Sequence, residues 1–391
     1  MLNTPFSPWP SFTEEEADAV RAVVLSNQVN YWTGEQCRYF ETEFAQWCDC
    51  AHAVAVTNGT VALELALRAL DIGPGDEVVV TPRTFIASAS CIVSLGAVPV
   101  FADVDRDSQN ITAATIESVL TPRTRAVICV HLAGWPCDMD PIMVLAAQHG
   151  LKVIEDCAQA HGALYKGRPV GGIGHVGAWS FCQDKIMTTG GEGGMVTTRD
   201  ETLWRKMWAY KDHGKSYRAV YERQHPAGFR WLHESFGTNW RMIEVQAVIG
   251  RIQLQRMGEW SRVRNANCKR IWACASEIPA LRVPELPNDI VHAAYKCYVF
   301  VEPSYLKQDW SRRRILDTLN DAGVPCNQGS CSEIYLEKAF DNTGWRPESW
   351  LPVAKELGDT SLMFLVHPTL TSAEIDKTCM ALGQVMQEAG R

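Results

Sequence analysis

The chain has 391 residues, more than a single hydrophobic core usually supports, so two domains are expected. Its composition, 46% hydrophobic and 21% charged, is ordinary for a soluble globular protein. A net charge of −8 argues against nucleic acid as the main partner.

The start of the chain lacks the basic and apolar segments of a signal peptide. The longest uncharged stretch, residues 87–102, is shorter than the roughly 20 apolar residues that a membrane-spanning helix needs. The fourteen cysteines include no C-x-x-C pair and no zinc-ligand spacing, and most lie in apolar or helical surroundings. We therefore expect a reduced, cytoplasmic protein without a metal site.

Residues 1–35 are predicted to form an N-terminal arm and a helix. Three prolines keep the arm extended, and the acids of Glu14–Glu16 favour a helix start. The aromatic loop Tyr31–Gly34 either packs on the core as a turn or covers substrate as a flap, and the sequence leaves both open. A second helix is predicted over residues 35–47.

From residue 53 to about residue 198, strand and helix candidates alternate, with glycine-containing turns between them. The predicted strands are Ala53–Thr57, Glu77–Thr81, Val98–Ala102, Ala126–His131, Lys152–Asp156, Ala178–Cys182 and Met195–Thr198. The predicted helices are Thr60–Leu70, Phe85–Leu95, Ala113–Leu120 and Asp138–His149. The middle strands are apolar along their whole length, so both faces must be covered. This predicts an α/β fold with a large domain, residues 36–256, built on a mostly parallel seven-stranded sheet.

After about residue 257 this alternation ends. Two apolar strands, 296–301 and 362–366, and helices near 311–322 and 371–388 predict a smaller α+β domain, residues 257–391. At the end of the large domain, a helix from Met242 to Arg256 is predicted to run into the next helix. The segment 212–237 is polar, aromatic and irregular, as binding loops and disordered segments are.

Two polar residues mark a candidate pyridoxal phosphate (PLP) site. Asp156 ends an apolar strand, and Lys185 follows another apolar segment just before a glycine cluster. A partly desolvated lysine is a usable nucleophile and base, and a carboxylate keeps the pyridine nitrogen of PLP protonated. A loop lysine and a strand-end acid are the ordinary alternatives, and Glu155 should point to the opposite face from Asp156.

A phosphate and a ring surface are the other needs of PLP. Gly59 and Thr60 open a strongly apolar helix, whose start is a ready phosphate site or a simple cap, and Ser180 could add a hydroxyl. Phe85 could stack on the ring and Gln159 could cover its other face, although Phe85 is about as often a core aromatic.

Several motifs in order resemble one family. They are N-G-T-V-A-L-E-L-A-L (58–67), G-P-G-D-E-V (73–78), G-A-V-P-V-F-A-D-V-D (96–105), E-D-C-A-Q-A-H-G (155–162), S-F-C-Q-D-K (180–185), G-E-G-G-M-V (191–196) and N-W-R-M-I-E-V-Q-A-V-I-G-R-I-Q-L (239–254). They resemble the DegT/DnrJ/StrS family of PLP-dependent aminotransferases that act on nucleotide-linked keto-sugars. The resemblance covers nearly the whole chain. The run from Lys185 to Glu192 is one residue longer than the family's usual one, which leaves the local loop geometry open.

The resemblance implies PLP-enzyme fold type I and a homodimer with active sites at the subunit interface. By resemblance, Lys185 is the Schiff-base lysine and Asp156 the partner of the ring nitrogen. The matches to other cofactor contacts are Phe85 and Gln159 beside the ring, Gly59, Thr60 and Ser180 at the phosphate, and Asn239 reaching the phosphate from the partner subunit.

The implied function is transamination of a nucleotide-linked keto-sugar, either a 4-keto-6-deoxy or a 3-keto hexose, with L-glutamate as donor and pyridoxamine phosphate as intermediate. Such enzymes serve amino-sugar biosynthesis, for example of O-antigen or other polysaccharides. A PLP-dependent sugar dehydratase and a non-catalytic PLP-binding regulator are the alternatives, and Lys185 counts against the dehydratase. Candidates for the substrate pyrophosphate are Lys211, Arg230 and Arg241. The sugar depends on how the loops 31–34, 212–237 and 325–335 shape the pocket.

Overall fold

The structure is a computed structural model that describes residues 5–224 and 231–391. Its strands are β1 (His52–Val56), β2 (Glu77–Val80), β3 (Val98–Phe101), β4 (Thr124–Val130), β5 (Lys152–Asp156), β6 (Leu164–Tyr165), β7 (Arg168–Pro169), β8 (Val176–Ser180), β9 (Gly194–Thr198), β10 (Leu281–Arg282), β11 (Ile290–Val291), β12 (Cys297–Val301), β13 (Cys326–Asn327) and β14 (Ser361–Phe364). Its α-helices are α1 (Glu14–Leu25), α2 (Gln36–Trp47), α3 (Gly59–Ala69), α4 (Ala87–Ser94), α5 (Ala113–Glu117), α6 (Met139–His149), α7 (Glu201–Tyr210), α8 (Glu244–Ser276), α9 (Arg312–Asp321), α10 (Pro352–Thr360) and α11 (Ser372–Ala389).

The predicted seven-stranded sheet is present, with strand order β1-β9-β8-β5-β4-β2-β3. The pairs from β8 to β3 are all parallel, whereas β9 is antiparallel to both of its neighbours. Strands β2, β8 and β9 are buried at every position, because helices and loops cover both faces of the sheet. The prediction of a mostly parallel sheet is therefore confirmed.

The predicted elements differ from the observed ones mainly at their ends. Strand β8 begins at Val176, two residues before its predicted start, and ends at Ser180 rather than at the predicted Cys182. The N–H of Phe181 still donates to the carbonyl of Gly193, one residue further along the same register. Gly177 lies inside this strand, where a Cβ atom would come within 2.4 Å of the Gly171 carbonyl oxygen. Helix α4 begins at Ala87 rather than at the predicted Phe85, and so Phe85 lies in the preceding loop.

Helix α8 is continuous over 33 residues, as the predicted continuation beyond Arg256 requires. The predicted domain boundary between residues 256 and 257 falls inside this helix. Beyond it, the sheet β10-β12-β14-β13 packs with α9 and α11 around a separate apolar cluster. A small third sheet, β11-β6-β7, joins the two predicted domains. The division into domains stays a prediction.

The N-terminal segment lies on later parts of the chain. Glu16 of α1 accepts hydrogen bonds from Gln253 and Arg256 of α8. In the aromatic loop, Tyr31 is only 2% exposed and the indole N–H of Trp32 donates to Asp212 at 2.7 Å. These contacts favour the packing interpretation of this loop over the flap.

No helix among the described residues combines the length and the apolar character needed to cross a bilayer.

Candidate active site

The carboxyl ends of β5 and β8 and the loop after β1 meet at one edge of the large sheet. Ligands of open α/β sheets bind at this kind of edge. A cavity of about 560 Å³ lies there. Its lining includes all but one of the predicted site residues: Gly59, Thr60, Phe85, Asp156, Gln159, Ser180 and Lys185.

Asp156 is a buried carboxylate that faces this cavity. Its side chain accepts hydrogen bonds from the Ser88 hydroxyl at 2.8 Å and from the N–H of Ala158 at 3.1 Å. Burial raises the pKa of Asp156, against the lowering effect of these two hydrogen bonds and of the charge of Lys185. The ionised form of a buried carboxylate with a raised pKa is stabilised by a cation at hydrogen-bond distance. A protonated pyridine nitrogen is such a cation.

Glu155 points the other way, as predicted. Its carboxylate accepts the N–H groups of Gly171, Ile173 and Gly174 and contacts the His131 ring at 3.1 Å. His131, Glu155 and Cys157 are close enough together to hold a metal ion. The contacts above already occupy the carboxylate, so this cluster ties the loop after β7 to the sheet.

Ser88 is a site residue that the sequence did not reveal. Its hydroxyl bonds both Asp156 and the Thr84 hydroxyl, at 2.8 and 2.9 Å. Because Ser88 donates to the carboxylate, Thr84 is the donor to Ser88. A serine inside a helix carries no motif, and only the tertiary fold brings the start of α4 to the aspartate 68 residues away.

The start of α3 lies against Ser180 at the cavity, an arrangement that we call the Gly59–Ser180 cradle. Asn58 caps the helix by accepting the N–H of Val61 at 3.0 Å, and the first N–H groups of a helix have no intrahelical partner. A Cβ atom on Gly59 would come within 2.5 Å of the Cβ of Ser180. Glycine is therefore required for this approach, and both the cap and the phosphate interpretation apply to the same turn.

Lys185 reaches the cavity from the loop after β8. Its ammonium lies 3.8 Å from the carboxylate of Asp184 and 5.4 Å from the centroid of the Tyr295 ring. Its carbonyl accepts the indole N–H of Trp9 at 2.8 Å. In the run from Lys185 to Glu192, Gly190 and Gly191 have φ values of 87° and 127°, which favour glycine at both positions.

Gln159 and Phe85 border the cavity from two further loops. The Gln159 side-chain oxygen accepts the N–H of Ala133 at 2.8 Å, which fixes the side chain. Phe85 is 68% exposed, so it is not the core aromatic that the sequence left open. Both side chains line the cavity, and their contact with a cofactor ring stays a prediction.

A second cavity, of about 670 Å³, shares Thr84, Phe85, Gln159, Asp184 and Lys185 with the first. It extends toward the C-terminal part of the chain. The residues that it adds are Tyr295, Lys296, Tyr298, Asn327, Gln328, Gly329, Ser330, Cys331, Ile334, Glu337 and Met363, together with Ile86. The predicted pocket loop 325–335 thus borders this space, whereas Tyr31 and Trp32 line a separate cavity.

Asn239 is exposed and lies outside both cavities of its own chain. It forms an isolated antiparallel bridge with Asp212. This position is compatible with the expected contact in a partner subunit, and that contact stays a prediction.

Two of the three predicted pyrophosphate-binding cations form ion pairs within their own chain. Lys211 is fully buried and its ammonium pairs with Glu41 at 3.1 Å. Arg241 pairs with Asp212 at 2.5 Å. Lys211 thus has the partner that a fully buried cation needs, and the partly buried Arg241 is paired in the same way within its own chain. Arg230 lies outside the described residues.

The fold places the chain among the aminotransferases of fold type I. An aminotransferase structure from Psychrobacter cryohalolentis superposes with a TM-score of 0.97 at 65% identity, covering 98% of this chain and 99% of that one. The chain belongs to the DegT/DnrJ/EryC1/StrS aminotransferase family, whose model matches residues 10–383. The resemblance read from the motifs is thereby confirmed, as is the enzyme class.

Two named relatives differ in the nucleotide that their substrates carry. The dTDP-3-amino-3,4,6-trideoxy-alpha-D-glucose transaminase of Streptomyces venezuelae is 36% identical, over 91% of this chain and 88% of that protein. The GDP-perosamine synthase of Caulobacter vibrioides is 35% identical, over 94% and 95%. Near-equal similarity to both leaves the nucleotide of this enzyme unassigned.

Proposed function

We propose that this protein is a PLP-dependent transaminase that moves the amino group of L-glutamate to a nucleotide-linked keto-sugar, a 4-keto-6-deoxy or a 3-keto hexose. The observation that carries the proposal is the convergence of Lys185, the buried carboxylate of Asp156 and the Gly59–Ser180 cradle in one cavity. The relatives act on nucleotide-linked sugars by their names, which supports the sugar part.

The cavity residues fit the cofactor group by group. Asp156 would hold the pyridine nitrogen, because a buried carboxylate with a raised pKa gains most from a cationic partner. The N–H groups at Gly59 and Thr60 and the Ser180 hydroxyl would hold the phosphate. When bound, PLP supplies an electrophilic aldehyde and a ring that accepts electrons.

Lys185 would then have two tasks. Its amino group binds the cofactor between reaction cycles, and its Nζ moves a proton to and from the reacting carbon of the substrate. Asp184, 3.8 Å away and itself bonded to the Tyr295 hydroxyl, would orient the ammonium when Lys185 is free.

The test is the absorbance of the protein with added PLP, before and after L-glutamate. We expect a cofactor band that glutamate converts to the pyridoxamine form in the native protein. Lys185→Ala should lack the native band, and Lys355→Ala, at a surface ion pair with Asp359, should behave as the native protein. A bound cofactor that no amino acid converts would contradict the transaminase and favour the dehydratase or the regulator.

We further propose a homodimer in which Asn239 contacts the phosphate bound by the partner subunit. The segment around it exposes Trp231, Phe236 and Ile243, with Phe236 98% exposed, as expected of a surface that another subunit covers.

Mixing two impaired variants tests this dimer. Lys185→Ala and Asn239→Asp are each expected to impair conversion by glutamate. If Asn239 acts across the interface, mixed dimers contain one site with both native residues and regain part of the activity. If it acts within its own chain, mixing restores nothing.

A further inference from the structure

Lys296 is the second lysine of the joined cavities. It directly precedes β12 and lines the larger cavity together with Lys185. The ammonium of Lys296 lies 4.8 Å from the centroid of the Tyr295 ring, and that of Lys185 lies 5.4 Å from the same centroid. Two amines therefore border one aromatic ring, although 111 residues separate them in sequence.

The backbone before Lys296 is held rigidly against the large sheet. The N–H of Ala293 donates to the Gly134 carbonyl at 2.8 Å, and the N–H of Tyr295 donates to the Ala133 carbonyl at 2.9 Å. The Tyr295 hydroxyl donates to Asp184 at 2.5 Å. The position of Lys296 relative to the site is thus set by three hydrogen bonds and by the strand that it enters.

Cationic side chains are scarce in this space. Among the described residues that line the two cavities, Lys185 and Lys296 are the cationic ones, whereas the acidic ones are Asp156, Asp184, Glu192 and Glu337. Because Lys185 serves the cofactor in the proposed function, Lys296 is the cation left to meet an anionic substrate group.

The ammonium of Lys296 is incompletely compensated. Burial lowers the pKa of Lys296 to about 8, with Asp184 opposing the shift and Arg264 and Lys185 adding repulsion. No carboxylate among the described residues forms an ion pair with it. The titratable or charged groups that face it are Asp184, Lys185, Arg264, Tyr295 and His367. An anion arriving with the substrate would complete this arrangement.

We propose that Lys296 binds the α-carboxylate of the amino acid donor. This inference rests on the proposed function. An α-amino acid carries its carboxylate on the same carbon as its amino group, so a donor whose amino group is at Lys185 must also bring a carboxylate into the adjoining space. Lys296 is a substrate-positioning cation there, and its charge-assisted hydrogen bond sets the donor affinity and selects amino acids over simple amines.

The test compares two donors on the PLP-loaded enzyme. 4-Aminobutyrate is L-glutamate without its α-carboxylate, so the pair isolates that group. The variants are Lys296→Met, which keeps the length and removes the charge, Lys296→Arg, which keeps the charge, and Lys355→Met at the surface as control. The readout is the donor concentration that gives half-maximal change of the cofactor absorbance.

We expect Lys296→Met to raise this concentration for glutamate by about tenfold to a hundredfold, the range for a hydrogen bond between charged groups. The response to 4-aminobutyrate should stay unchanged, and Lys296→Arg should regain much of the glutamate response. An unchanged glutamate response in Lys296→Met overturns the inference, as does an equal loss for both amines, which would indicate general damage to the site. A loss confined to the later reaction with a keto-sugar would assign the lysine to an anion of the sugar instead and also overturns it.

Failure of the proposed function has a different signature. In that case no α-amino acid converts the cofactor in the native enzyme, and the assignment of Lys296 to the donor carboxylate is refuted together with the proposed function. Conversion in the native enzyme without any effect of Lys296→Met leaves the proposed function intact.

Discussion

The hydrogen bond from Ser88 to Asp156 offers the sharpest test of how the chain holds its cofactor. In Ser88→Ala the carboxylate keeps the N–H of Ala158 but loses the hydroxyl at 2.8 Å. A hydrogen bond to a charged, buried group is worth about 1.5–3 kcal/mol, so we expect roughly 10- to 100-fold weaker PLP binding.

The same substitution should also change how PLP binding depends on pH. Burial already raises the pKa of Asp156, and the Ser88 hydroxyl is one of the groups that hold it down. Removing the hydroxyl raises the pKa of Asp156 further, so the carboxylate becomes protonated at a higher pH than in the native protein. Once it is protonated, its attraction for a cationic ring nitrogen is lost. PLP affinity should therefore fall on acidification in both proteins, but earlier in Ser88→Ala.

The assay is a PLP titration followed by absorbance at a series of pH values, with Ser94→Ala as the control. Ser94 lies on the same helix and donates to the Cys91 carbonyl at 2.8 Å, away from the cavity. If Ser88→Ala binds PLP with native affinity at every pH, the assignment of Asp156 as an ionised cofactor ligand tuned by Ser88 is wrong.

Three further predictions follow from the same contacts. Gly59→Ala would press a methyl group against Ser180, so we expect a loss of about 1–3 kcal/mol in the free energy of unfolding and weaker PLP binding. Gly73→Ala, a position with open space around it, is the control and should change neither quantity. Equal effects of the two substitutions in thermal unfolding and PLP titration would contradict this prediction. Lys211→Met breaks a buried ion pair and should cost about 3–5 kcal/mol of stability in denaturant unfolding, and a native stability would refute the structural role given to this lysine. Because the pKa of Lys296 is lowered to about 8, its positive charge is lost as the pH rises through that value. In the native enzyme, the glutamate concentration for half-maximal conversion should therefore increase at pH values above about 8, whereas in Lys296→Met it should not change there. Parallel pH profiles of the two proteins would contradict this prediction.

Local signals were sufficient for the large sheet and for the residues at its edge. The strands of the large domain are long enough, and apolar enough, to be recognised as buried on both faces, and a polar residue at the end of such a strand is visible in sequence. Asp156 is such a residue, and the structure places it at the cavity together with Ser180, which ends the observed strand β8.

The residues that sequence did not reveal reach the site through tertiary contacts. Ser88 is an ordinary helical serine in sequence, and only the tertiary fold brings it within hydrogen-bond distance of Asp156. Tyr295 and Lys296 come from the C-terminal part of the chain and arrive through backbone hydrogen bonds to the turn at Ala133. The two-residue strands β6, β7 and β11 are too short for any periodicity to show.

Charged residues were the hardest to interpret from sequence. The position of Lys211 in the chain makes it a candidate for binding a substrate phosphate. Its partner, Glu41, lies 170 residues earlier, and no local pattern indicates that pairing. Whether a cation binds substrate or supports the fold depends on such distant partners.

The most direct test of the account is to find which lysine carries the cofactor. Borohydride reduces the carbon–nitrogen double bond between PLP and its lysine, and mass spectrometry of the digested protein then locates the modification. The account predicts that the modification lies on Lys185 and is absent from that peptide in Lys185→Ala. A modification on Lys296 in the native protein, or none on any lysine, would contradict it.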